Sequence, residues 1–178
     1  MDRIWGGGIV SKIGVVMGST SDLPVVEKAI HILEEYQVPF EGRVLSAHRC
    51  PNEAREFAAS ARESGFSVLI AAAGMAAHLA GALAANTTLP VIGIPCSGAN
   101  FDGMDALLST VQMPGGIPVA TVAVNGAKNA ALLAIEILAV TDETLAAKLA
   151  ESRRRETEAV LQAGTGNGPG VYPGALFF

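Results

Sequence analysis

The chain has 178 residues, half of them hydrophobic and only 16% charged, with a mean hydropathy of +0.40 and a formal net charge of −5. This excludes a disordered chain, which would be too polar to build a core, and a broad nucleic-acid-binding face, which needs a basic surface. It suits one compact α/β domain, and so apolar a balance implies surface buried in a membrane or against further copies of the chain.

Residues 1–12 hold Trp5 and a run of three glycines but no apolar signal-peptide core, and read as an N-terminal extension of a cytoplasmic protein. From there apolar runs alternate with helical patterns. The run 13–17 predicts a short buried strand, and the spacing of Val26, Ala29, Ile30 and Leu33 predicts a helix over 23–36. Ser21 or Asp22 can cap that helix, and Pro24 suits its first turn. A strand over 40–45 precedes a helix from 51 to about 64, closed by Gly65. A third strand, 68–73, leads into a small-residue helix ending near Asn86; "PVIGIP" at 90–95 is a fourth strand. A helix over 103–112, a fifth strand over 118–124, an apolar helix over 127–140 and a charged helix over 141–162 follow. The Gly- and Pro-rich segment 163–178 reads as a tail, so the predicted organisation is an extension (1–12), one domain (13–162) and a tail.

The stretch 68–85 is long and nearly uncharged enough to suggest a membrane span. His78, Gly74 and Gly81 interrupt it and no aromatic belt or basic flank brackets it, so strand, turn and helix explain it better. Cys50 and Cys96 form neither a disulfide framework nor a metal cluster. The sequon at Asn86-Thr87-Thr88 has no meaning without secretion. Strands that are continuous apolar runs are covered on both faces, which predicts a parallel sheet between two helix layers. Ligands of such sheets bind beyond the carboxyl ends of the strands.

Three loops fall at that edge. "GSTSD" (18–22) offers free N–H groups at a helix start with the hydroxyls of Ser19 and Ser21, as an anion site would. Asp22 would repel phosphate but could accept hydrogen bonds from ribose; a plain capped turn accounts for the same letters. The loop is neither a Walker A sequence nor a dinucleotide fingerprint. "LSAHRCP" (45–51) combines Ser46, a bidentate donor in Arg49 and a proton carrier in His48, since imidazole titrates near neutrality. The bland alternative is a turn histidine beside a surface arginine. "AAAGMAAHLAG" (71–81) lets backbone approach a ligand closely, with His78 its one polar side chain; a packed Ala-rich helix with a core histidine is the alternative. His48, His78, Cys50 and Asp22 are metal-ligand types without metal-ligand spacing. Cys50 beside Arg49 is a possible nucleophile, although a small structural residue before proline reads the same way.

Taken in order, "VMGSTSD", "SAHR-P", "AGMAAHLAG", "PVIGIP", "VQMPGGIPVATVAV" and "AKNAALLA" resemble the bacterial-type N5-carboxyaminoimidazole ribonucleotide (N5-CAIR) mutase family, over about 13–161. The resemblance implies a flavodoxin-like (Rossmann-like) three-layer fold, a homo-octamer, no cofactor and no metal. It implies an isomerase of purine biosynthesis that moves a carboxyl group from the exocyclic nitrogen of N5-CAIR to C4 of the imidazole, giving 4-carboxy-5-aminoimidazole ribonucleotide (CAIR), and possible transient contact with an N5-CAIR synthase. By position, Ser19, Ser21 and Arg49 would hold the 5′-phosphate and Asp22 the ribose. Ser46 and Ala47 would line the substrate, Gly74, His78 and Leu79 would surround the migrating carboxyl group, and His48 would be the general acid and base. The chain departs from the family pattern at Met75, where glycine is expected, at Ala80, where proline is expected, and at Cys50, where threonine is common. The alternatives are an aminoimidazole ribonucleotide (AIR) carboxylase that uses free CO2 and a non-catalytic nucleotide-binding module. The apolar helix 127–140 is the segment expected to lie between subunits.

Overall fold

A computed structural model describes residues 11–98 and 100–164, so most of the predicted extension and nearly all of the tail lie outside the described residues. The elements are β1 (Lys12–Met17), α1 (Leu23–Glu35), β2 (Phe40–Val44), α2 (Pro51–Ser60), β3 (Phe66–Gly74), α3 (Leu79–Ala84), β4 (Val91–Cys96), α4 (Met104–Val111), β5 (Ala120–Thr121), α5 (Ala127–Ala139) and α6 (Glu143–Gly164). The residues form two compact units divided between Leu138 and Ala139.

In the first unit the five strands form one parallel sheet in the order β2-β1-β3-β4-β5, the flavodoxin-like arrangement. The β-branched and aliphatic runs of β1, β3 and β4 are its centre: Ile13, Val15, Val16, Val68, Leu69, Ile70 and Ile92 have no exposed surface. Burial on both faces is why these strands read as unbroken apolar runs. β2, "FEGRV", is an edge strand and carries polar residues, with Glu41 bridging Lys12 (2.8 Å) and Arg43. Gly93 marks a close approach of helix to sheet. A Cβ there would overlap Thr110 Cγ2 on α4 and stand 3.3 Å from Ala80 Cβ on α3.

Three elements differ from the sequence reading. β5 pairs over two residues only, Ile92 with Ala120 and Gly93 with Thr121, where seven residues of strand are predicted. It is an edge strand, and Pro118 has no N–H to extend the ladder. The helix after β3 ends at Ala84 rather than near Asn86, and it does not follow the strand directly but starts at Leu79, because residues 75–78 make a tight turn. That turn is closed by the Ala77 N–H to Met75 O (2.9 Å) and the His78 N–H to Ala76 O (2.8 Å). α2 stops at Ser60, and residues 61–65 turn back to β3 with Gly65 at φ +83°. No helix among the described residues is long and apolar enough to cross a membrane, and the apolar stretch 68–85 is strand, turn and short helix.

The second unit contains α6. Asp142 Oδ1 accepts the N–H groups of Thr144 (2.9 Å) and Leu145 (3.1 Å), capping a helix whose exposed face pairs Arg154 with Glu151 and Glu158, and Arg155 with Glu151. Those arginines pull the Glu151 carboxyl down to about 2.

Candidate functional site

The carboxyl ends of β1 to β4 open into a cavity of about 570 Å³, at the point where strand order reverses between β1 and β3. All ten residues singled out from the sequence line it: Ser19, Ser21, Asp22, Ser46, Ala47, His48, Arg49, Gly74, His78 and Leu79.

The β1–α1 loop is a single 3-10 turn held by reciprocal bonds. The Ser19 N–H donates to Asp22 Oδ2 (3.1 Å), and Ser19 Oγ accepts from the Ser21 N–H (3.3 Å) and the Ser21 hydroxyl (2.9 Å). Ser19 is therefore the side-chain cap of this extra turn, whereas Asp22, one of the two residues expected to cap α1, stands at its N-cap but turns its carboxylate to the Ser19 N–H instead of to the helix. Burial raises the Asp22 carboxyl above its ordinary 3.8, opposed by its bond from Ser19 and the nearby Arg49 charge.

The β2–α2 loop is fastened to this turn and to itself. Arg49 Nη2 donates to Gly18 O (2.9 Å), and its Nε donates to Ser46 Oγ (3.4 Å). Guanidinium has five N–H donors, so these bonds aim the group without exhausting it. The Ser46 N–H donates to Cys50 Sγ (3.0 Å), and the thiol donates back to Ser46 O (3.3 Å). Cys50 thus braces the turn from inside, a task a threonine hydroxyl at this position could also perform.

The β3–α3 turn brings the second histidine in. His48 Nε2 and His78 Nδ1 lie 2.8 Å apart with their rings nearly perpendicular, so one of these nitrogens carries the hydrogen that the other accepts. His78 is exposed at the cavity and is not a core histidine. Leu79 is 1% exposed and belongs mainly to the core beneath the cavity floor. Ala80, at the second position of α3, is buried, and alanine fits that first turn as proline would. Met75 has φ +53°, a left-handed backbone that costs a bulky residue about 1–2 kcal/mol and that glycine adopts freely.

The sequence reading missed a fourth wall, Ser97 and Gly98 after β4. Asn125 holds it: its Oδ1 accepts the Ser97 N–H (3.0 Å) and its Nδ2 donates to Ser97 Oγ (2.8 Å). The signal was available, since these residues follow the carboxyl end of a predicted strand as the other three loops do.

One side of the cavity is thus rich in donors and suited to an anion, the other is apolar, and the histidine pair lies between them. The model of one family, AIR carboxylase, matches residues 12–159. The chain is 54% identical over 142 residues to the N5-carboxyaminoimidazole ribonucleotide mutase of Pyrococcus abyssi, covering 80% of this chain and 82% of that protein. It is 53% identical over 153 residues to the mutase of Bacillus subtilis, covering 85% and 94%. The crystal structure of Treponema denticola PurE superposes with a TM-score of 0.79 at 25% identity, over 87% of this chain and 97% of that one.

Proposed function

The chain belongs to the AIR carboxylase family, and from that membership we propose that it isomerises N5-CAIR to CAIR in purine biosynthesis. The observation that carries the reading is the meeting, in one cavity, of the Arg49–Ser46 donors, the His48–His78 pair and the small-residue turn after β3.

N5-CAIR is a phosphorylated ribonucleotide bearing a carbamate. Arg49 and the hydroxyls of Ser19 and Ser21 hold the 5′-phosphate by charge-assisted bonds. Asp22 accepts from the ribose, and Ser46 and Ala47 line the substrate between them. Protonated His48 gives its proton to the exocyclic nitrogen. The bond from that nitrogen to the carboxyl carbon breaks, its electron pair stays on nitrogen, and CO2 is released beside the ring. C4 then attacks the CO2 carbon, forming a carbon–carbon bond. The hydrogen on C4 leaves as a proton to His48, which restores the aromatic ring and the starting charge of the histidine. Substrate and product are isomers, so electrons and atoms balance with one imidazole serving as acid and then base. Gly74, His78 and Leu79 border the migrating group, and the apolar wall limits its exchange with water.

The protein works in the cytoplasm as a homo-octamer of one catalytic domain, residues 13–162, with the terminal extension and tail outside that domain, and it has a transient contact with an N5-CAIR synthase. Self-association is supported by Met104, Leu108 and Val111, an exposed apolar stripe on α4 beside exposed Phe101. α5, the helix expected between subunits, already buries Ala127, Ala130, Ala131, Ala134 and Ile135 within one chain.

Incubation with N5-CAIR, and separately with AIR plus bicarbonate, tests the reading. CAIR should form faster from N5-CAIR. Preference for AIR plus bicarbonate would make the protein a CO2-using carboxylase, and binding without turnover would make it a nucleotide-binding module.

A further inference from the structure

Met75 has no role in the chemistry above, yet it is the most conspicuous apolar side chain at the cavity rim. It is 65% exposed, lines the cavity, and follows Gly74 in the turn that ends at His78. Its backbone lies in the left-handed region at φ +53°. Gln37, Asp102 and Asn125 share that trait among the described non-glycine residues, and none of them lines this cavity. Strain of this kind persists where the surroundings impose it, and it concentrates at functional sites. Here the Ala77 N–H bond to Met75 O (2.9 Å) ties the turn down. The side chain leans toward the β4–α4 loop: a Cβ added at Gly98 would stand 3.9 Å from Met75 Cγ. It therefore bridges the β3–α3 turn and the β4–α4 loop along one side of the mouth, where its neighbours Ala73, Ala76, Ser97 and Gly98 all carry short side chains or none.

We propose that Met75 is the gate that keeps released CO2 in the cavity, and so sets how faithfully this chain acts as a mutase rather than as a decarboxylase. The proposal rests on the isomerase reading. CO2 is small and uncharged and offers no group for a strong hydrogen bond, so its retention depends on blocking escape. An unbranched thioether with three rotatable bonds can fold over a bound ribonucleotide and adapt to both positions of the carboxyl group. Every lapse of the gate leaves AIR and free CO2 after the first bond breaks, with the proton left on the exocyclic nitrogen.

The test measures partition. The parent, Met75→Gly, Met75→Ala and Met75→Leu are supplied with N5-CAIR in 13C-bicarbonate buffer, and AIR, CAIR and label in the CAIR carboxyl group are read by mass spectrometry. Decomposition without protein is subtracted, and circular dichroism checks each fold. Glycine relieves the backbone strain while alanine keeps it, so a change common to both belongs to the lost side chain. Both truncations are expected to release several-fold more AIR per CAIR and to take up more label, and leucine to restore the parent's ratio. Parent-like partition and label in both truncations overturn the gate while leaving the isomerase reading intact. A parent that converts no N5-CAIR overturns the isomerase reading, and the gate with it.

Discussion

The two halves of the cavity are built by opposite means. On the β1–β2 side a polar network orients the donors: Arg49 is tied to Gly18 and Ser46, Ser46 to Cys50, and Ser19 to Ser21 and Asp22. On the β3–β4 side the wall is mostly small and apolar, Ala73, Gly74, Ala76 and Gly98 with Met75, shaped by backbone turns and one strained residue, and the polar Ser97 in it is held by Asn125. A phosphate is recognised by directed, charge-assisted bonds, which require donors held in place. CO2 is held by shape, which requires small residues and exclusion of water. The halves are joined at their base by the Gly18 N–H bond to Ala72 O (3.0 Å) and, between side chains, by the 2.8 Å pair of His48 and His78.

That contrast breaks most sharply at the junction. His48→Asn is expected to lower kcat by about 10²–10⁴-fold, the usual worth of a general acid–base group, while affinity for CAIR, read by calorimetry, stays near the parent's. Undiminished turnover would assign the proton steps elsewhere. Removing the main donor of the polar half acts on binding instead: Arg49→Ala should weaken the phosphorylated ligand by about 1.5–3 kcal/mol. Arg49→Lys should recover only part of this, because a point charge cannot reproduce the fork. Equal losses with a ligand that lacks the phosphate would detach Arg49 from that role.

A smaller effect isolates the bracing. Cys50→Ala removes the sulfur acceptor of the Ser46 N–H and should cost about 0.5–1.5 kcal/mol in denaturant unfolding, with Cys50→Thr returning most of it. Failure of threonine to help would mean that the cysteine only fills space.

The smallest effect concerns Asp22, whose carboxyl burial holds above its ordinary value. The folded chain then binds a proton more readily than the unfolded one, so this group lowers stability as pH rises from the unfolded pKa through the folded one. Asp22→Asn should therefore raise Tm at pH 7 by about 1–2 °C, flatten the gain the parent shows on acidification through that window, and weaken ribonucleotide binding. A lower Tm for the variant would show that the carboxylate's bond from Ser19 outweighs its burial.

Much of this was legible before any coordinates. β1, β3 and β4 announce themselves because a strand buried on both faces must be apolar throughout, and parallel pairing then follows. Ser19, Ser46, His48 and Arg49 stand out because polar and charged side chains are conspicuous in so apolar a chain. The apolar half was harder to read. Ser97 and Gly98 follow a predicted strand but form no motif with their neighbours, and Asn125, 28 residues away from Ser97, has its effect only through folding. β5 looked longer than it is, since an apolar run does not reveal where its hydrogen-bond partners end.

The letters alone settled the alternation of strands and helices, the sheet's parallel sense and the identity of the polar groups at its edge, because hydrophobic period and local turn chemistry act between near neighbours. Only the tertiary structure could decide that His48 and His78, thirty residues apart, share a hydrogen bond, and that Met75 takes a left-handed backbone at the mouth between two loops. Those facts depend on the strand order, which sets β3 beside β1 and brings distant loops to one edge.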